Sequence, residues 1–171
     1  MCRILVKVLT MSLSISRAVK ILTAVGTEFS VEELATKLGV SPKTAKRYAA
    51  ELVRMGLIVE KGSGRFATSD KGLFLLESCG IKERLVGDKE AYIFTDEKGA
   101  SVPLKVNSIE KLYAVVKYRL VPEDVLRHHL EKGYLAKWVA EQLGARLLAE
   151  RLANVKTVEQ FEKLLEEYLV H

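Results

Sequence analysis

The chain has 171 residues, enough for one or two small domains that each bury a core. Half of it is apolar (49%), 29% is charged and the net charge is +5. No uninterrupted apolar run approaches the roughly 20 residues of a membrane span, and two cysteines, Cys2 and Cys79, do not make a disulfide framework. The expectation is a globular protein of a reducing cytoplasm with no membrane partner. Its charge is unevenly held: residues 1–82 carry 13 Lys/Arg against 7 Asp/Glu, and residues 83–171 carry 14 against 15. A basic domain at 1–82 beside a near-neutral domain at 83–171 points to a polyanion partner for the first and a different task for the second.

The opening MCRILVKVLTMSLSI is only loosely like a signal peptide, because Lys7 interrupts the apolar run. Met11 is an alternative start. Ser16 to Val25 carries Ala18, Ile21, Leu22 and Val25 at helical spacing. In GTEFSVEELATKLG, Ser30 and Glu33 form a capping box, and Val31, Leu34, Ala35 and Leu38 follow the i, i+3, i+4, i+7 rule. Gly39 closes that helix as a left-handed cap. Val40 is expected to plug the gap before the next helix.

That next helix is SPKTAKRYAAELVR, residues 41–54, with Ser41 as its cap and Pro42 at its first position. At about 100° per residue, Lys43, Lys46, Arg47, Ala50 and Arg54 share one face. Ala45, Ala49 and Leu52 lie opposite, flanked by Tyr48, Val53 and Met55. The polar face thus reads as four cations without an anion, with Glu51 toward the apolar side and able to cap one edge. Cations in the first turn oppose the macrodipole, so the charge is not explained by helix stability. Two helices joined by a short Gly-containing turn define a helix-turn-helix.

Strands follow at Leu57 to Lys61 and Arg65 to Thr68, with GSG as the turn between them. Lys61 and Arg65 flank its tip. A hairpin directly after a helix-turn-helix is a wing. Ser69 then caps a further helix containing Leu73, Phe74 and Leu76.

The stretches SVEELATKLGVSPKTAKRYAAELVRMGLI and GRFATSDKGLFLLE resemble the winged helix-turn-helix regulators of archaea and bacteria, of the MarR/ArsR-like kind, over about residues 14–80. In such proteins the second helix of the motif enters the major groove and the wing touches the adjacent backbone or minor groove. The resemblance implies that Lys43, Thr44, Lys46 and Arg47, with Arg54 on the same face, meet base edges and phosphates of double-stranded DNA. It implies that Lys61 and Arg65 grip the flanking backbone. The face lacks Asn and Gln, so bidentate adenine readout is missing; Arg47 can read guanine, and the lysines suit phosphates. Ala50 leaves a small gap in it.

The second half begins with the polar link GIKERLVGDKEA. AYIFT and SVPLKV flank DEKGA and read as a hairpin, with Pro103 favouring an edge. Asn107 and Glu110 look like a cap for a helix with the stripe Ile109, Leu112, Tyr113, Val116 and Leu120. Pro122 starts another, with Glu123 and Asp124 well placed in its first turn. Leu135, Trp138, Val139 and Leu143 form a third stripe ended by Gly144, ARLLAERLAN continues helical, and Thr157 and Gln160 cap a last helix. The span from about Tyr92 to Leu152 (92–152) resembles a small uncharacterised α+β domain of archaea and bacteria through YIF, then SIEKLYAVVKYRLVPEDVLRHHLEKGYLAKWVAEQLGARLLAERL. That resemblance implies a shape and no chemistry.

Candidate chemistry is sparse. His128 and His129 point about 100° apart on a helix and cannot chelate one ion as an i, i+4 pair does, so a hydrogen-bonded structural His beside a surface His is expected. Cys79 reads as core, Trp138 as core or as one wall of a small-ligand pocket, and GSG lacks the Lys-Ser/Thr of a phosphate loop. No catalytic set, cofactor or metal is expected. The stripe Val158, Phe161, Leu164, Leu165, Tyr168 and Leu169 either folds onto its own domain or pairs with a second copy. Dimerisation is favoured, because two-fold dimers suit helix-turn-helix proteins. The expected fold is mainly α with small β hairpins: a winged helix-turn-helix followed by an α+β domain that senses a small-molecule or protein effector, dimerises or docks a partner. The expected function is duplex DNA binding as a transcriptional regulator, with recognition helix 41–55 and wing 57–68. The alternative is a winged-helix interaction module that binds protein or RNA.

Overall fold

The computed structural model describes residues 12–170; Cys2, Lys7 and the alternative start at Met11 lie outside them. The chain divides into two compact units that meet at Gly72 and Leu73. Both are helical with small antiparallel sheets, one of three strands and one of two. Among the described residues no helix is long and apolar enough to cross a membrane.

The first unit opens with α1 (Ile15–Val25), where the Ser14 hydroxyl accepts from the Arg17 amide at 3.3 Å. Its stripe Ala18, Ile21, Leu22 and Val25 is buried as the spacing predicts. The capping box of α2 (Val31–Leu38) is complete: Ser30 Oγ accepts from the Glu33 amide at 3.2 Å, and Glu33 Oε2 accepts from the Ser30 amide at 2.7 Å. Gly39 takes φ +61°. Its amide then bonds the Thr36 carbonyl at 3.2 Å, and the Val40 amide bonds the Ala35 carbonyl at 3.0 Å. This reversal satisfies the orphan carbonyls of α2 and hands the chain directly to Ser41, whose hydroxyl accepts from the Thr44 amide at the start of α3 (Pro42–Arg54). Val40, at the turn between the helices, is half-buried.

The wing is β2 (Ile58–Gly62) and β3 (Arg65–Thr68). Its two-residue loop, Ser63 and Gly64, has positive φ at both positions, the twist that suits a tight hairpin. A third strand, β1 (Glu28–Ser30), was not foreseen. It pairs antiparallel with β3, Phe29 opposite Phe66, giving the sheet order β1-β3-β2. Three residues carry too little alternation to mark a strand; the pairing partner defines it.

α4 (Asp70–Ile81) starts on Ser69, whose Oγ accepts from the Gly72 amide at 3.1 Å. A Cβ at Gly72 would stand 2.2 Å from the Leu57 carbonyl oxygen and 2.7 Å from Thr68 Cγ2. Glycine is what lets the first turn of α4 lie against the base of the wing.

In the second unit, Phe74 and Ile81 of α4 join a core with β4 (Tyr92–Thr95), β5 (Ser101–Val106) and the helices that follow. Leu73 and Leu76 of α4 are half-buried; Gly72, Phe74, Leu75, Ser78 and Ile81 are its buried residues. Cys79, expected in the core, is exposed. One position earlier, Ser78 faces inward and donates to the Tyr168 carbonyl.

α5 (Ile109–Lys117) is capped by Ser108, whose Oγ accepts from the Lys111 amide at 3.2 Å, one residue later than the expected Asn107 cap. It ends where Arg119 adopts φ +51°, and Leu120, expected inside, is exposed. Val115 takes its place, 2% exposed, and its carbonyl accepts from the Leu120 amide. α6 (Glu123–Glu131) starts after Pro122, and α7 (Tyr134–Trp138) runs into a π-helical turn, Val139–Leu143, closed by Gly144.

α8 (Arg146–Leu152) has no side-chain cap of its own. Glu77, about seventy residues upstream, supplies it: its two carboxylate oxygens accept from the Leu147 and Leu148 amides at 2.8 and 3.0 Å. α9 (Val158–Leu169) buries all six residues of its expected stripe in the core of its own unit. That face is therefore not the exposed seam a second copy would need. Trp138 is core, and its Nε1 donates to the Glu90 carbonyl at 2.7 Å.

His129 is the expected structural histidine. It is 3% exposed, with Nε2 2.8 Å from the Thr95 carbonyl oxygen and Nδ1 against the Tyr92 hydroxyl. A neutral ring that donates from Nε2 accepts the tyrosine proton at Nδ1. His128 beside it is half-exposed. Among the described residues no His/Cys/Asp/Glu group has the makings of a metal site.

Two stability predictions follow from these contacts. Gly72→Ala should destabilise the first unit by about 1–3 kcal/mol, because the nearest clash is with backbone and cannot rotate away; urea unfolding followed by far-UV circular dichroism measures it. Burial holds the His129 pKa below its ordinary value, opposed by the Thr95 bond and aided by His128. The unfolded chain then takes up the proton first, so the second unit is most stable above pH 6.5 and weakens as pH falls through that value. Urea midpoints read by Trp138 fluorescence should drop between pH 7.5 and 5.5, and His129→Gln should flatten that drop; an equal drop in the variant would assign it to another group.

Candidate nucleic-acid interface

α3 presents its two faces as the periodicity predicts. Ala45, Tyr48, Ala49 and Leu52 are buried, and Lys43, Lys46, Arg47, Ala50 and Arg54 are exposed. Val53, which the sequence placed on the flank of the apolar face, is exposed. Lys61 and Arg65 are exposed on either side of the wing tip, and a bulge between Glu60 and Gly62 sets Lys61 out of register with β3.

The cations differ in what already holds them. Arg54 is bound to Glu51: its Nη2 lies 2.8 Å and its Nε 3.2 Å from one carboxylate oxygen, and Nη2 also donates to Ser12 Oγ at 3.3 Å. The hydrogen bond from Arg54 holds the Glu51 carboxyl below its ordinary pKa, with Arg54's charge adding to it and burial opposing. The expectation of four cations without an anion is thereby corrected, because an i, i+3 pair neutralises the last of them. Among the described residues no ion pair within 4.0 Å involves Lys43, Lys46, Arg47, Lys61 or Arg65.

Lys46 is felt at a distance by Glu32 at the start of α2. Glu32 sits below its ordinary pKa first through its own backbone amide, then Ser30, and also through the charge of Lys46. Thr44 is half-buried, and its hydroxyl lies 3.0 Å from Ser41 Oγ, so it is tied into the cap of α3. The gap at Ala50 opens into a shallow groove of about 310 Å³ between α3 and the wing, lined by Val31, Lys46, Ala49, Val53, Glu60 and Phe66 besides Ala50. Glu60 is the one carboxylate on its lining.

The sequence pattern missed a contact that tertiary structure makes between α1 and α3. Arg17 of α1 donates from Nη2 to the Tyr48 hydroxyl at 2.8 Å, and its guanidinium carbon lies 5.3 Å from the Tyr48 ring centroid. The Arg47 guanidinium carbon lies 5.6 Å from the same centroid. Nothing in the spacing of α1 signals this, because Arg17 reads as an ordinary polar residue of an amphipathic helix.

This geometry offers fixed, exposed positive charge on a helix following a tight turn, with a basic hairpin beside it. Comparison with known proteins agrees with that reading for one stretch. No curated protein and no solved structure matches the chain. Residues 30–59, from the Ser30 cap through α2 and α3 to the first residues of β2, match the family described as winged helix-turn-helix DNA-binding. The chain therefore carries a winged helix-turn-helix DNA-binding domain at residues 30–59, which supports DNA binding.

Proposed function

We propose that this protein is a transcriptional regulator of the MarR/ArsR-like, archaeal type, acting on duplex DNA in the cytoplasm. In this reading the domain expected at residues 1–82 is the DNA-binding one, although from Leu73 onward α4 belongs to the second unit. The helix at 41–55 lies in the major groove and the wing at 57–68 on the neighbouring backbone. Residues 83–171, with their α+β domain, sense an effector, dimerise or dock a partner. A homodimer would use a face other than the α9 stripe, which its own core occupies. The protein acts by binding and carries no catalytic role.

The single observation behind the proposal is that Lys43, Lys46 and Arg47 are exposed together on α3 and, among the described residues, make no ion pair within 4.0 Å. Each such cation that neutralises a phosphate releases condensed counterions, so affinity falls steeply with salt. Lys43, Lys46, Arg47, Lys61 and Arg65 together account for a log–log slope of about −4 to −5 per protomer. Arg47 can reach a guanine edge as well as a phosphate, and the lysines hold phosphates. Thr44, anchored to Ser41, contributes through its methyl or hydroxyl at the groove edge.

Binding to random duplex across a salt series tests the reading. Lys46→Gln should flatten the slope by about 0.9. Glu51→Gln should do the reverse: it releases Arg54 from its carboxylate and steepens the slope by up to about 0.9. Protein capture without salt-sensitive duplex binding would instead favour the interaction-module alternative, and preference for single-stranded or folded RNA would favour RNA.

A further inference from the structure

We propose that Arg17, with Lys20 beside it, forms a backbone-phosphate contact that extends the DNA-binding face of α3 onto α1. The inference rests on the duplex-DNA reading above and adds a site to it.

Arg17 and Lys20 are three residues apart on α1 and both exposed, so they share a face. They wall a cavity of about 210 Å³ whose other lining is Ile21, Leu38, Val40 and Tyr48. Leu38 and Val40 bracket the turn that sets α3, and Tyr48 belongs to α3 itself. The site is thus built where α1, the turn and the candidate recognition helix meet. Because the Arg17 and Arg47 guanidinium carbons lie 5.3 and 5.6 Å from one ring centroid, they are at most about 11 Å apart. The two guanidiniums flank the ring of one residue of α3.

The partner of Arg17 decides what the side chain can still do. Arg54 is bound to a carboxylate and is neutralised by it. Arg17 is bound to a neutral phenol and keeps its full charge. Guanidinium carries five N–H donors, and one hydrogen bond to Tyr48 leaves most of them open. The phenol and its ring also hold the long side chain in place, so less rotamer freedom is lost when a phosphate arrives. Arginine's planar fork matches two phosphate oxygens. The position beside α3, rather than on it, suits the backbone at the edge of a groove and not a base within it. The contact is therefore sequence-independent.

The test uses the full chain on random duplex, with salt varied from 50 to 200 mM. Arg17→Gln should flatten the log–log slope by about 0.9, so that salt weakens binding about 3.5-fold less over that range than in the wild type. Arg17→Lys should restore the slope, and the loss should be the same on every duplex sequence. Should Arg17→Gln disturb Tyr48 and fold poorly, Lys20→Gln carries the test, because Lys20 takes no part in that hydrogen bond and is expected to flatten the slope equally. An unchanged slope in the folded variant, with Lys46→Gln still flattening it, overturns this inference and leaves the duplex reading standing. A wild type that shows no salt-sensitive duplex binding overturns the duplex reading and this site with it.

Discussion

The candidate interface depends on a three-residue constraint, Gly39-Val40-Ser41. Gly39 enters the left-handed region, where a side chain would be strained, and this lets two successive amides close the end of α2. Ser41 immediately satisfies the first amides of α3. No residue of the junction is left to drift, so the direction in which α3 leaves α2 is set by hydrogen bonds rather than by packing alone. The apolar residues Ala45, Ala49 and Leu52 then fix its rotation about its own axis. Once direction and rotation are both set, Lys43, Lys46 and Arg47 have only one side on which to emerge.

Charge on that side acquires its meaning from what already holds it. Counting cations along the helix treats Lys43, Lys46, Arg47 and Arg54 alike. The structure separates them, because Glu51 reaches Arg54 and, among the described residues, none of the other three is in an ion pair within 4.0 Å. A cation already bound to a carboxylate must first give up that partner before it can neutralise a phosphate. An arginine bound to a phenol gives up nothing. The exposed basic surface is thus shorter at the C-terminal end of α3 than the sequence suggests, and broader toward α1, where Tyr48 gathers Arg17 and Arg47 around one ring.

The second unit uses side chains from afar to finish what its helices leave open. Ala145 cannot cap α8, and Glu77 accepts from the exposed amides instead, while Tyr168 donates to the same carboxylate at 3.1 Å. Arg119 ends α5 in a conformation that favours glycine, and its guanidinium reaches Glu162 at 3.2 Å and the Val116 carbonyl at 2.6 Å. α9, with Phe161, Leu165 and Tyr168 fully buried, closes the core. These devices build a well-ordered body, and His129 contributes as one of its buried hydrogen-bonded groups. Nothing among them converges on an open polar site.

Features that depend on neighbours within about four positions were legible in the residue pattern. The Ser30–Glu33 box, the Gly39 reversal, the Ser41–Pro42 start, the Ser63-Gly64 turn and the stripes of α1, α3 and α9 are all local hydrogen bonds or helical spacing, and each stands where the pattern puts it. Tertiary structure alone decided what depends on a partner distant in the chain. β1 exists because β3 pairs with it; Cys79 faces out because Ser78 takes the inward position; Leu120 is exposed because Arg119 ends the helix first. The same holds for the destination of the α9 stripe and for the placement of Arg17 against Tyr48. Periodicity reports that a face must be covered or that a charge must be exposed. Which surface covers the face, and which charges meet, is fixed only when the chain has folded and brought residues 31 or 70 positions apart within hydrogen-bond reach.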